Sequence, residues 1–254
     1  MSTDSARPRL TVGEVASRFC GDMIPLTGKF SYFSTLPVPE EDLRQYLNEP
    51  IAAISPAILG VLPGVGIVLA PYLEKANGKE GDLVTFDRPA EARSILRSRW
   101  DAGPMPILAL AIKEIEIADY HYQLYNGLAG LVADRWSADM QERFFRVIRE
   151  ELNAEVHGEV DEKSWHLKQA LVRRQTNIRR ETKMFREYAR QAFEDTLTLY
   201  LHGTCCDIDV DTGPRQMPSR YLRRRLELLI SLFPAPEGYA VLPEQLKARP
   251  GGGR

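Results

Sequence analysis

The sequence predicts a mainly α-helical fold: a helical bundle with a small N-terminal α/β element built on a β-hairpin. Three observations lead there. From Met105 to His202 apolar residues recur at helical spacing through long segments. Within that stretch three of the four histidines each follow a carboxylate by seven residues: Glu114 and His121, Glu159 and His166, Asp195 and His202. Seven residues on a helix return a side chain to within about 20° of its start, so each pair shares one helix face. Ahead of this stretch, short apolar runs are separated by glycine-rich and proline-rich turns, which suits strands. The chain divides accordingly into a disordered tail over 1–10, a small α/β region over 11–103, a helical bundle over 104–233, and a Pro/Gly-rich tail over 234–254.

Thr11 to Phe19 reads as a short helix. Pro39, Glu40 and Glu41 mark a helix start. The run Gly66 to Ala70 and the run Leu83 to Phe86 flank a turn-rich segment around Asn77, Gly78 and Gly81, and together predict a hairpin. Asp87 as cap and Pro89 in the first turn predict a helix over Ala90 to Trp100. Asp101 to Pro104 breaks the chain. The long helices follow: Met105 to Ala133, then Ser137 to about Gln175 with a bend or interruption at Gly158, then Glu181 to His202. A last helix covers Ser219 to Leu232.

Composition narrows the class. The chain is 44% hydrophobic and 27% charged with a formal net charge of -2. That is an ordinary soluble globular composition, with no global pull toward nucleic acid or anionic membrane. The basic stretches Arg173 to Arg190 and Arg220 to Arg225 read as partners of an acidic helix face, not as a dedicated nucleic-acid interface. Cys20, Cys205 and Cys206 form no disulfide framework and no zinc spacing, and predict a reducing cytoplasm. Met1 to Arg9 is polar and lacks a signal-peptide core. Pro50 to Leu73 carries no charge and is long enough to span a bilayer, but Pro56, Pro63, Pro71, Gly60, Gly64 and Gly66 interrupt it, so buried soluble elements are expected.

The candidate chemistry lies on the predicted long helices. Tyr125, Leu128, Ile117 and His121 fall within about 60° of Glu114, so a carboxylate and an imidazole share an apolar face. Asp195 and His202 share another with Met184, Tyr188 and Ala192. On the middle helix Glu151, Glu155, Glu159, Glu162 and His166 lie within about 80° of arc, in line with Phe144 and Ile148. Such a stripe repels itself unless cations answer it, and either a metal or arginines from a neighbour would do so. The candidate metal ligands are Glu114, His121, Glu155, Glu159, His166, Asp195 and His202. Tyr125 and Tyr188 are candidate hydrogen-bond donors to them. Carboxylates with imidazoles suit two iron or manganese ions.

This inventory resembles that of the haem-oxygenase-like di-iron oxidases and oxygenases: Glu-x6-His on one helix, a glutamate on a second, an Asp/His pair on a third. The resemblance implies a helical bundle holding two irons that activates dioxygen toward a small-molecule substrate. Glu114, His121, Asp195, His202 and a glutamate at Glu155 or Glu159 would be the carried-over ligands. The family's third helix carries His-x3-Asp-x2-His, whereas this chain has Gln191 and Thr198 at the two extra positions, so His166 would supply the third imidazole. Ferritin-like Glu-x-x-His pairs do not occur.

Two other classes stand beside it. A non-catalytic helical scaffold or regulatory protein would bind a protein partner through its charged helix faces, and would show Glu–Arg pairs in place of a ligand cluster. A haem protein would use His121 or His202 as axial ligand. A homo-oligomer stays open in each. Asp207, Asp209, Asp211 and Gly213 resemble the opening of a calcium loop, but Thr212 and Pro218 stand where glycine and glutamate are required.

Overall fold

The computed structural model describes residues 9–76, 81–103, 105–173, 180–205 and 216–242. In chain order its elements are β1 (Leu10–Thr11), α1 (Val12–Phe19), β2 (Ile24–Pro25), β3 (Phe30–Ser34), α2 (Glu40–Leu43), α3 (Glu49–Ala52), α4 (Pro56–Val61), β4 (Val65–Ala70), β5 (Tyr72–Glu74) and β6 (Leu83–Thr85). They continue with β7 (Ser94–Ile95), β8 (Arg97–Trp100), β9 (Ile107–Ala111), α5 (Ile117–Ala133), α6 (Ala138–Asn153), α7 (Glu162–Val172), α8 (Lys183–Cys205) and α9 (Ser219–Leu232). The fold is α/β, not mainly α. It contains a four-stranded sheet in the order β1-β6-β5-β7 and a five-stranded sheet in the order β2-β3-β4-β9-β8. The chain forms two compact units, one of Met1–Pro50 with Leu62–Gly127, the other of Ile51–Val61 with Leu128–Arg254.

The first unit holds both sheets. In the larger one β3, β4 and β9 run parallel, with β2 and β8 as antiparallel edges. Every residue of β4 and of β9 is buried. Ile107–Ala111, where the sequence pattern predicts helix, is therefore a strand. A strand covered on both faces is apolar throughout, and an unbroken apolar run satisfies a helical stripe as readily as a strand. The hairpin is also corrected. β4 pairs with β3 and β9, while β6 pairs with β5, Tyr72 opposite Thr85, and with β1. The helix expected over Ala90 to Trp100 is a single 3-10 turn followed by β7 and β8. Arg97 to Trp100 pairs antiparallel with β9, so the ladder overrides the local helix-start signal.

Two close approaches fix this layer. A Cβ on Gly66 would stand 2.4 Å from the Ile107 side chain in the neighbouring strand. A Cβ on Gly127 would stand 2.9 Å from Leu108, so α5 lies on β9 where glycine leaves room. Helix α1 begins as read: Thr11 accepts from the Glu14 amide at 3.1 Å, and Glu14 accepts from the Thr11 amide at 2.8 Å, a reciprocal capping box. Val12, Val15 and Ala16 of this helix join the core of Val68, Ala70, Leu73 and Val84.

The second unit is built from helices. Ser137 caps α6 by accepting from the Met140 amide. Helix α6 presents Phe144, Phe145, Val147 and Ile148 inward. The Trp136 ring lies 4.5 Å from that of Phe193 and the Phe145 ring 5.2 Å from that of Phe185. The middle helix does not run through to Gln175. It ends at Ala154, where the Glu155 amide donates to Leu152 and the Val156 amide to Glu151, the two bonds of a Schellman stop. Glu155 takes the left-handed conformation there, with φ 51, and Gly158 follows with φ 75. A new helix, α7, starts behind the Asp161 cap.

The uncharged stretch from Pro50 to Leu73 becomes the end of α3, then α4, β4 and the start of β5. No helix among the described residues is long and apolar enough to cross a membrane. Cys206, the Asp207 to Gly213 loop, Arg174, Arg179, Asn77, Gly78 and the outer parts of both tails lie outside the described residues.

Candidate functional site

Most of the candidate residues fall in three places. In the first unit, Glu114 is not on a helix. It sits in the connection between β9 and α5 with φ 56, accepts a hydrogen bond from Tyr72 at 3.0 Å and pairs with Arg88 at 2.9 Å. His121 lies on α5, 5% exposed, with Nε2 2.8 Å from the Gln45 carbonyl oxygen, a contact that calls for the proton on Nε2. The seven-residue spacing therefore does not put the two on one helix face. Tyr125 donates to the Pro50 carbonyl at 3.0 Å.

The second place is a fully buried ionic cluster in the second unit. Arg225 of α9 is 0% exposed. Its Nε and Nη2 reach both Glu151 oxygens at 2.5–3.1 Å, and its Nη1 and Nη2 reach both Glu159 oxygens at 2.8 and 3.0 Å. One guanidinium thus holds two carboxylates in forked geometry. Tyr188 also donates to Glu159. Lys168 stands 3.2 Å from Glu159 and donates to the Gly158 carbonyl at 2.8 Å. Burial alone would raise the Glu159 carboxyl, but Arg225 and Lys168 draw it below the usual value. Burial lowers the Lys168 ammonium, partly offset by Glu159. Burial also works against the Arg225 charge, and Glu159 and Glu151 more than restore it. Two carboxylates against two cations leave the cluster neutral, the condition for burying such charge.

The third place is a cleft of about 900 Å³ between the start of α7 and the middle of α8. Glu162 and His166 line it from α7; His166 is exposed, 3.5 Å from Glu162. Glu187, Arg190, Gln191 and Glu194 line it from α8. Asp195 lies one turn beyond Gln191, is 2% exposed, and accepts from the Gln191 amide at 2.7 Å. Its Oδ2 has no hydrogen-bond partner among the described residues. Burial pushes its carboxyl up to about 7, against the opposing hydrogen bonds of Ser164 and Gln191 and with the help of Asp161 and Glu194.

Two ligand candidates stand apart from these. His202 occupies the last turn of α8, and Glu155 is exposed at the stop of α6.

The structure thus divides the proposed ligand pool between the two units, and within the second it separates Glu159 in the core from exposed His166. Among the described residues no three His, Cys, Asp or Glu side chains are grouped to hold a metal ion. Sequence reasoning missed Arg225 as a core residue. The signal was present: Leu222, Arg225, Leu226 and Leu229 follow the i, i+3, i+4, i+7 spacing of the buried face of α9.

Comparison of the chain with protein-family models, with curated proteins and with solved structures found no match.

Proposed function

We propose that the protein is a non-catalytic binding protein that engages a protein partner through its charged helix faces. One observation carries this reading: the inner carboxylates of the acidic stripe, Glu151 and Glu159, are answered by Arg225 inside the core. They hold helices in place and are not left for a metal or a substrate. The same pattern continues outward. Arg224 pairs with Glu150, Arg149 with Glu181, and Arg190 with Asp134 and Glu194. Exposed pairs of this kind contribute little stability, about 0–1 kcal/mol each. What they do is pattern the surface with charge, which sets partner choice and encounter rate more than raw affinity.

The test is anaerobic loading of the full chain with ferrous iron, followed by desalting and metal analysis, beside cross-linking mass spectrometry in cells of its source. The expected result is no stoichiometric iron and reproducible cross-links to one protein partner. Stoichiometric iron that is lost in a His121→Ala/His166→Ala variant would overturn the reading, as would the absence of any partner cross-link.

A further inference from the structure

Glu151, Glu159 and Asp195 are the acids buried in the second unit among the described residues, and the two glutamates share Arg225. The cations nearest Asp195 along the two helices of its seam are spent elsewhere. Lys168 of α7 gives its ammonium to Glu159 and to the Gly158 carbonyl. Arg190 of α8 pairs with Asp134 and Glu194. The buried charges that α6 and α9 bring to the core, Glu151 and Arg225, answer one another. Asp195 is left with neutral partners: the Gln191 amide at 2.7 Å on its own helix and the Ser164 hydroxyl on α7. Two more acids, Asp161 at the cap of α7 and Glu194 on α8, stand close enough to disfavour its charge. The histidines of these two helices are His166, exposed on α7, and His202, seven residues beyond Asp195.

The serine makes this seam a two-position device. Ser164 is 0% exposed and has one hydroxyl proton to give. That proton goes to the carbonyl of Asp161, the residue that caps α7, at 3.0 Å. With Asp195 protonated, its own O–H can serve the Ser164 oxygen, and every proton has an acceptor. With Asp195 charged, oxygen faces oxygen unless Ser164 turns its proton to the carboxylate and gives up the Asp161 carbonyl. Charging also sets a third carboxylate against Asp161 and Glu194 where water does not reach.

We propose that the α7–α8 seam is a pH-operated clasp: protonated Asp195 holds the first two turns of α7 against α8, and loss of that proton loosens them. Those turns carry the exposed Glu162, Lys163 and His166, so the clasp ties the presentation of their charge to pH. The clasp stands independently of the binding-protein reading.

The direction follows from linkage. Burial holds the Asp195 proton up to about 7 in the closed state, against a usual 3.8. Opening therefore releases a proton between those values, and the open fraction rises with pH there and levels off above about 7.

The test is hydrogen exchange of the full chain from pH 5 to 8, corrected for the intrinsic pH dependence of exchange. Opening over Trp165 to Lys168 is expected to rise more than tenfold between pH 5 and 7 and then level off. At pH 7 these amides should also exchange faster than those of Phe144 to Ile148 in α6, which report global opening. Asp195→Asn keeps the Gln191 partner and cannot charge, so it should remove the rise; His166→Gln should retain it. Three results overturn the proposal: no rise in the wild type, a rise that persists in Asp195→Asn and so belongs to a histidine, or exchange over Trp165 to Lys168 that matches Phe144 to Ile148 throughout and so belongs to global unfolding.

Discussion

Replacing Arg225 by methionine removes one side chain and strands two charges. Glu151 and Glu159 each lose a forked partner within the core, where both side chains are 0% exposed. Glu159 keeps Lys168 at 3.2 Å and the Tyr188 hydroxyl, while no other Glu151 side-chain bond is described. Breaking a buried pair from one side costs about 3–5 kcal/mol, because the remaining charge is left desolvated. Against a total stability of roughly 5–15 kcal/mol that is a large fraction. With a urea slope of about 2 kcal/mol/M the unfolding midpoint should fall by roughly 2 M. Trp136, packed against Phe193 in the second unit, supplies the fluorescence signal. The double variant Arg225→Met/Glu151→Met removes one cation with one anion and leaves Glu159 with Lys168, so charge balance returns. It should be more stable than Arg225→Met alone, with a coupling of about 2 kcal/mol. A single variant that loses less than about 1 kcal/mol, or a double variant that loses the sum of the two single losses, would refute the reasoning.

Three further outcomes are expected. Asp195 holds its proton up to about 7 when folded, against a usual value of 3.8, so between those values the native state binds more protons than the unfolded one. Its contribution to stability is therefore present at low pH and lost as pH rises through about 7, by a few kcal/mol at most; urea midpoints should fall between pH 5 and 8 in the wild type and fall less in Asp195→Asn, and parallel curves would contradict this. Glu155→Gly relieves a non-glycine residue held at φ 51 in the stop of α6 and should raise the unfolding midpoint, by about 0.5–1 kcal/mol; a loss of stability would mean that the side chain has an offsetting contact. Gly66→Ala sets a methyl 2.4 Å from Ile107 between two buried strands and should cost about 1–3 kcal/mol, read as faster exchange of the β4 amides; unchanged exchange would show that the sheet absorbs the methyl.

What the sequence determined by itself is local. The short helix read from Thr11, the helix start at Ser137, and the apolar spacing of Ser219 to Leu232 act within a turn or two of chain, and helices begin at those places. The carboxylates of the acidic stripe were also visible as groups needing a cation. Tertiary structure decided the rest. Ile107–Ala111 is a strand because β4 and β8 flank it and both its faces are covered, a circumstance that an apolar run of five residues cannot declare. Glu114 left the helix face for the same reason: the strand ends first, and helix α5 starts only at Ile117. The cation that answers the stripe comes from 74 and 66 residues further along, where Arg225 stands among leucines on α9. Helical periodicity places a side chain on a face. Only packing decides what that face meets, and a buried charge takes whichever partner removes its desolvation cost.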